Sequence, residues 1–259
     1  MFAELLVVIP HSGLAVPAEV PLDALADDFA ALARNVDWFT NWLYDFRDLL
    51  GNGQIVFPFC SLILEANRHP AHIEDCVPLK DVFGRPVYKP GREPDAALRE
   101  RMARKHLDPF HAAIEAEIAG GRQFLLDGHS TITARGVAAN QIELMSFQHS
   151  TLDAGRVTYC PDLYIETYAA ELRRRLPDVK VTVNESEYWR VYGHVCAAHS
   201  VHAMGRVGTR CPALLQETND SLYRNPDGSP NIGALNRLRR AFAEALAAMR
   251  RTVNEESAR

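Results

Sequence analysis

The 259-residue chain lacks the features that usually assign a protein at sight. No apolar run is long enough to cross a bilayer. Met1 to Pro10 has no basic segment and no cleavage-like site, so it reads as a strand and not a secretion signal. No C-x-x-C occurs, and the five cysteines (Cys60, Cys76, Cys160, Cys196 and Cys211) are odd in number and scattered. That excludes a disulfide framework and a Cys-rich zinc site, and it fits a reducing cytoplasm. There is no basic excess: 28 Lys and Arg stand against 33 Asp and Glu, a net charge of −5. Nucleic acid and membrane surfaces are therefore not the expected partners. No G-x-G-x-x-G, P-loop, G-x-S-x-G or H-E-x-x-H is present. Repeats, low-complexity tracts and linkers are also lacking, so residues 1–259 are expected to form one domain.

What is present alternates between strand-like and helix-like segments. Leu5 to Ile9 is a continuous apolar run suited to a strand buried on both faces. Phe124 to Asp127 and Ala213 to Gln216 read the same way, and Ile55 to Phe59, Leu62 to Leu64 and Val179 to Val183 are also strand-like. Helices are expected over Pro21 to Ala33, Val36 to Leu50, Asp95 to Ile118 and Leu163 to Leu176. In the second, Trp38, Trp42, Phe46 and Leu49 form a stripe; in the third, Pro109 marks a kink or a split. Asn231 can cap a long final helix. Residues 69–94 read as a long loop with a short hairpin around Val82 to Tyr88. The fold class is α/β: a three-layer sandwich with a mostly parallel, mixed central sheet flanked by helices.

Polar residues cluster where these strands should end. His11 follows the first in Pro10-His11-Ser12-Gly13, and His129 follows another in Asp127-Gly128-His129-Ser130. Ligands of open α/β sheets bind beyond the carboxyl ends of the strands. One such histidine is most simply a turn residue. Two of them make a metal site about as good a reading as two unrelated turns, with Asp127 placed to orient His129. A catalytic zinc needs a third ligand. Asp37 is the candidate, against the plainer reading of a helix N-terminal acid. Glu217, after Gln216, can move a proton for such a metal; a surface acid is the alternative. Asn67-Arg68 offers an amide and a guanidinium fork for a carboxylate or oxyanion, or else a structural ion pair. His69-x-x-His72 and His199-x-x-His202 have helical metal spacing but no acidic third ligand, so they read as coincidence.

Taken together, these stretches resemble the N-formylglutamate amidohydrolase family, whose members share the zinc-carboxypeptidase and aspartoacylase type of fold. The match runs in order. It comprises Pro10-His11-Ser12-Gly13, Val36-Asp37-Trp38 with Leu43-Tyr44, Asn67-Arg68 and Pro109-Phe110-His111, then Asp127-Gly128-His129-Ser130, Asn184, and Gln216-Glu217 with Asn219, Leu222 and Tyr223. The resemblance implies one Zn2+ held by His11, Asp37 and His129, with Asp45 an alternative to Asp37. It implies Glu217 as general base and then acid. Asn67 and Arg68 would grip a small-molecule substrate carrying a carboxylate, and His111 would lie at the substrate. The implied reaction is hydrolysis of the amide of an N-formyl or N-acyl amino acid. Two rivals are a zinc carboxypeptidase-like peptidase acting on a short peptide and a non-catalytic binding protein on the same fold. The chain departs from the family pattern at Ser61, where an arginine is usual, and across Glu185 to Arg190, where the family is Gly-rich.

Overall fold

A computed structural model describes residues 2–33, 36–133, 137–149, 156–185, 196, 199 and 211–257. Its strands are β1 (Leu5–Ile9), β2 (Gly53–Val56), β3 (Phe124–Thr131), β4 (Gln141–Met145), β5 (Phe147–His149), β6 (Arg156–Thr158), β7 (Lys180–Val183) and β8 (Ala213–Asn219). The main sheet has the order β2-β1-β3-β8-β4-β7, and β5 pairs with β6 separately. All pairings in the main sheet are parallel except β4 with β8. The sheet is thus mostly parallel and mixed, as expected.

The α-helices are α1 (Phe29–Leu32), α2 (Thr40–Leu43), α3 (Arg47–Leu50), α4 (Ile73–Cys76), α5 (Ala96–Met102), α6 (Asp108–Ala119), α7 (Asp162–Arg175) and α8 (Ile232–Ser257). One face of the sheet meets α2, α7 and α8. There Tyr168 of α7 donates to Gln216 Oε1, and the rings of Tyr44 and Phe242 stack with centroids 5.8 Å apart. The opposite face is covered by α6, which packs across β1 and β2.

Several local expectations change. Asp127 and Gln216 do not end their strands: β3 runs on to Thr131 and β8 to Asn219. Strand alternation explains the difference. Gly128 and Ser130, like Gln216 and Thr218, face the Tyr44 side, while Asp127, His129 and Glu217 face the other. Polar residues on both faces hide a buried strand from a hydrophobicity reading.

The expected helix over Pro21 to Ala33 is only a 3-10 turn at Leu22–Ala24 and the single turn α1. Between them the backbone pairs elsewhere, Ala26 donating to Val87 and Lys89 to Ala24. Val36 to Leu50 splits into α2 and α3. Its proposed stripe is not the buried face, for Trp42 and Leu49 are each 38% exposed. Leu62 to Leu64 is a tight turn in which Ile63 and Leu64 both donate to the Cys60 carbonyl. The helix expected over Asp95 to Ile118 is split, as the proline suggests: α5 ends at Met102, and α6 begins at Asp108 with Pro109 in its first turn. A π-type turn at Ala103–Leu107 joins α5 to α6 just before Pro109 and takes up the hydrogen bond that proline cannot make. Asn231 caps α8, its Oδ1 accepting from Ala234 N at 3.0 Å.

Candidate metal and active site

Three ligand-type atoms converge at the carboxyl ends of β1 and β3. His11 Nδ1 and His129 Nδ1 are 3.1 Å apart. Asp37 Oδ2 lies 3.4 Å from the first and 3.3 Å from the second. Donors about 2.0–2.1 Å from a tetrahedral ion stand about 3.3 Å from one another, so the triangle has the edge lengths of a metal cage. It is the one such group among the described residues.

Each corner is held from behind. His11 Nε2 meets Glu65 Oε1 at 2.5 Å, and His129 Nε2 meets Asp127 Oδ1 at 2.9 Å. Protons on both Nε2 atoms leave both Nδ1 lone pairs facing the centre, the arrangement by which carboxylates orient metal-binding imidazoles. Asp37 Oδ2 accepts from Ser130 N at 2.9 Å, and the Asp37 carbonyl accepts from Thr40 Oγ1. Thr40 opens α2 after Phe39 in the left-handed region, φ 64°. Breaking the expected helix here is what turns Asp37 toward the histidines.

Charge agrees with geometry. Burial opposes a proton on His11, but Glu65 and Asp37 overcome it and raise the imidazole to about 9. His129 is likewise raised, burial being outweighed by Asp127 and Asp37. Burial would push the Asp37 and Glu65 carboxyls up, yet the histidines hold both low, Glu65 at about 2. Buried carboxylates therefore make the centre a trap for positive charge, and a divalent cation suits it.

Glu217 stands beside this cage. β3 and β8 run parallel with His129 opposite Glu217, and β4 crosses antiparallel with Glu143 opposite Glu217. Both glutamates are buried. Glu143 Oε1 accepts from Glu185 N at 2.7 Å, and its Oε2 accepts from Thr182. Asn67 is fully buried, with Nδ2 3.0 Å from His129 Nε2 and Oδ1 accepting from Cys196 N at 2.9 Å. Arg68 donates to the Asn67 carbonyl, and its charge is felt by Glu65.

The structure thus brings together His11, Asp37, His129, Glu217 and Asn67. Asp45 pairs with Arg47 instead of joining the cage. His111 lies on the sheet-facing side of α6, 3.0 Å from His199 Nε2. His69 and His72 are exposed and belong to no ligand group among the described residues, and His202 and Glu187 to Arg190 lie outside those residues. Sequence reasoning assigned no role to Glu65 or Glu143. Neither has a local signal, because the groups that hold each of them lie far along the chain.

An α/β protein with two histidines and a carboxylate grouped so that they could hold a metal at the carboxyl edge of its sheet is the class these features define. The chain belongs to the N-formylglutamate amidohydrolase family, whose sequence pattern matches residues 3–224. It is 28% identical to an N-formylglutamate deformylase of Pseudomonas aeruginosa over 138 residues, a match spanning 49% of this chain and about half (51%) of that relative. Its fold superposes on the crystal structure of N-formylglutamate amidohydrolase from Ralstonia eutropha JMP134 with a TM-score of 0.73 at 20% identity, covering 98% of this chain and 95% of the other. A gene product of Agrobacterium tumefaciens gives a TM-score of 0.65 at 17% identity, covering 96% and 92%. At those identities the two structures speak to the fold.

Proposed function

We propose that the protein is a zinc-dependent amidohydrolase that cleaves an N-formyl or N-acyl amino acid resembling N-formylglutamate. The observation that carries this reading is the row formed by the His11–Asp37–His129 cage and Glu217, set opposite His129 across one strand pairing. Family membership supports the bond type, an amide outside a peptide chain.

His11, Asp37 and His129 would hold the ion, each offering one ligand atom. Bound there, it would supply Lewis acidity to a carbonyl and to water near neutral pH. Glu217 takes a proton from the attacking water as its oxygen adds to the acyl carbon. As the C–N bond breaks, Glu217 returns the proton to the departing nitrogen. The products are a carboxylate and a free amino acid. Arg68 offers its guanidinium to the substrate carboxylate or developing oxyanion, and Asn67 steadies the wall beside His129. All five cysteines are free and buried. Buried thiols with no disulfide suit a reducing compartment, and we place the enzyme in the cytoplasm.

The test is a panel of formyl and acyl amino acids, N-formylglutamate included, set against short peptides with the zinc-loaded protein. Release of the free amino acid from at least one acyl amino acid, with peptides untouched, is the expected result. Cleavage of peptides alone would replace this reading with a peptidase. Turnover of neither class, with zinc bound, would leave a binding protein.

A further inference from the structure

A second polar column runs through α6. Glu115 Oε1 lies 3.5 Å from His199 Nδ1, and His199 Nε2 lies 3.0 Å from His111 Nδ1. A carboxylate only accepts, which favours the proton on His199 Nδ1 and leaves Nε2 as an acceptor. His111 then donates from Nδ1 and presents a lone pair at Nε2. Burial, the largest effect, and the charge of His69 lower His111 to about 4, so it is neutral at pH 7.

The inner end of this column is unfinished. His111 is only 7% exposed, and its Nε2 is buried without a hydrogen-bond partner. Asp127 gives Oδ1 to His129, and its Oδ2 is also buried without a partner. His111 lies within the field of Asp127, which acts to raise it. Both buried acceptors lie in the layer between α6 and the sheet, where one water would supply the two donors they call for. At the outer end, Glu115 and Arg104 border a cavity of about 710 Å3, and His111 and His199 are among its most buried lining residues.

We propose that His111 is a positioning residue for the metal centre. Through one buried water it fixes Asp127, and through Asp127 it fixes the ring of His129. Glu115 and His199 set its tautomer. This places His111 behind the cage and not at the substrate, where the family resemblance put it. The inference rests on the metal reading given above.

The experiment measures zinc dissociation constants by chelator competition, with melting of the zinc-free forms recorded alongside. His111→Leu is expected to weaken zinc about tenfold, and Asp127→Asn by about as much or more. The double variant should be no weaker than Asp127→Asn alone, because both act through one path. His111→Gln, which keeps an acceptor, should recover most of the loss. A packing role alone would lower the melting temperature and leave the zinc constant untouched. A zinc constant for folded His111→Leu within about twofold of wild type overturns the proposal, as do fully additive losses in the double variant. If His111→Leu does not fold, Glu115→Gln decides. That rim variant should weaken zinc about two- to threefold, and an unchanged constant overturns the proposal. Wild-type protein that binds no zinc overturns the functional reading as well, whereas zinc bound equally by wild type and His111→Leu overturns this inference alone.

Discussion

Changing Glu217 to Gln keeps the side chain's shape and removes its ability to carry a proton. The expected outcome is zinc bound as before and turnover lowered about 10²–10⁴-fold, read from metal analysis and steady-state rates on one preparation. Full turnover would remove Glu217 from the mechanism. His129→Ala takes away one corner of a cage whose edges are 3.1 Å to His11 and 3.3 Å to Asp37. Its zinc content should fall from one per chain toward none, and undiminished zinc would exclude His129 as a ligand. These residues were legible because each follows a recognisable apolar run. Glu65 was not, because its bond to His11 spans 54 positions and nothing beside it marks an acid that faces inward. Glu143 was hidden in the same way, since its buried environment comes from strands β7 and β8, which lie far along the chain.

Between elements, one tight constraint lies at Gly128. A Cβ there would stand 2.8 Å from Tyr44 Cδ2 and 2.9 Å from Cγ. The Tyr44 ring has no room to yield. It is fully buried, and its hydroxyl lies 2.9 Å from Thr218 Oγ1 and donates to the carbonyl of His129 at 2.8 Å. Gly128→Ala should therefore cost about 1–3 kcal/mol, measured by denaturant unfolding. A cost near zero would show that β3 and α2 separate easily. This tyrosine ties the backbones of both site-bearing strands from behind. At this scale the sequence reading was strongest for β1, α7 and α8, where a single local pattern agrees with the tertiary environment. It was weakest between Pro21 and Leu50. There, pairing with Val87 and the turn that aims Asp37 override helix-forming spacing, and neither partner is nearby in sequence.

Two outcomes belong to the molecule as a whole. A cage preformed in the native state and absent from the unfolded chain couples metal to stability. Zinc at about 1,000 times its dissociation constant should add about 4 kcal/mol, raising the melting temperature by roughly 8–16 °C for a chain of this size. An unshifted melting curve would argue against a native-state metal site. Away from the site, the bond from Lys105 lowers Glu19 from its usual 4.5 to about 2. A depressed carboxyl stabilises the fold above its unfolded value and loses that contribution as pH falls through its folded value. Glu19→Gln should thus flatten the fall in stability between about pH 4.5 and 2, and an unchanged acid limb would show that this bond carries no stability.

The strand order has a consequence for how the chain is made. β8 is the last of these strands to be synthesised, yet it lies in the middle of the sheet, between β3 and β4. Until Ala213–Asn219 leaves the ribosome, β3 and β4 are both unpaired edges, and residues 124–126 with Ile142, Leu144 and Met145 are apolar templates for any neighbouring chain. The nascent protein therefore holds two half-sheets open until Glu217 emerges. Expression should be most sensitive to chaperone supply and to pauses in translation within that interval.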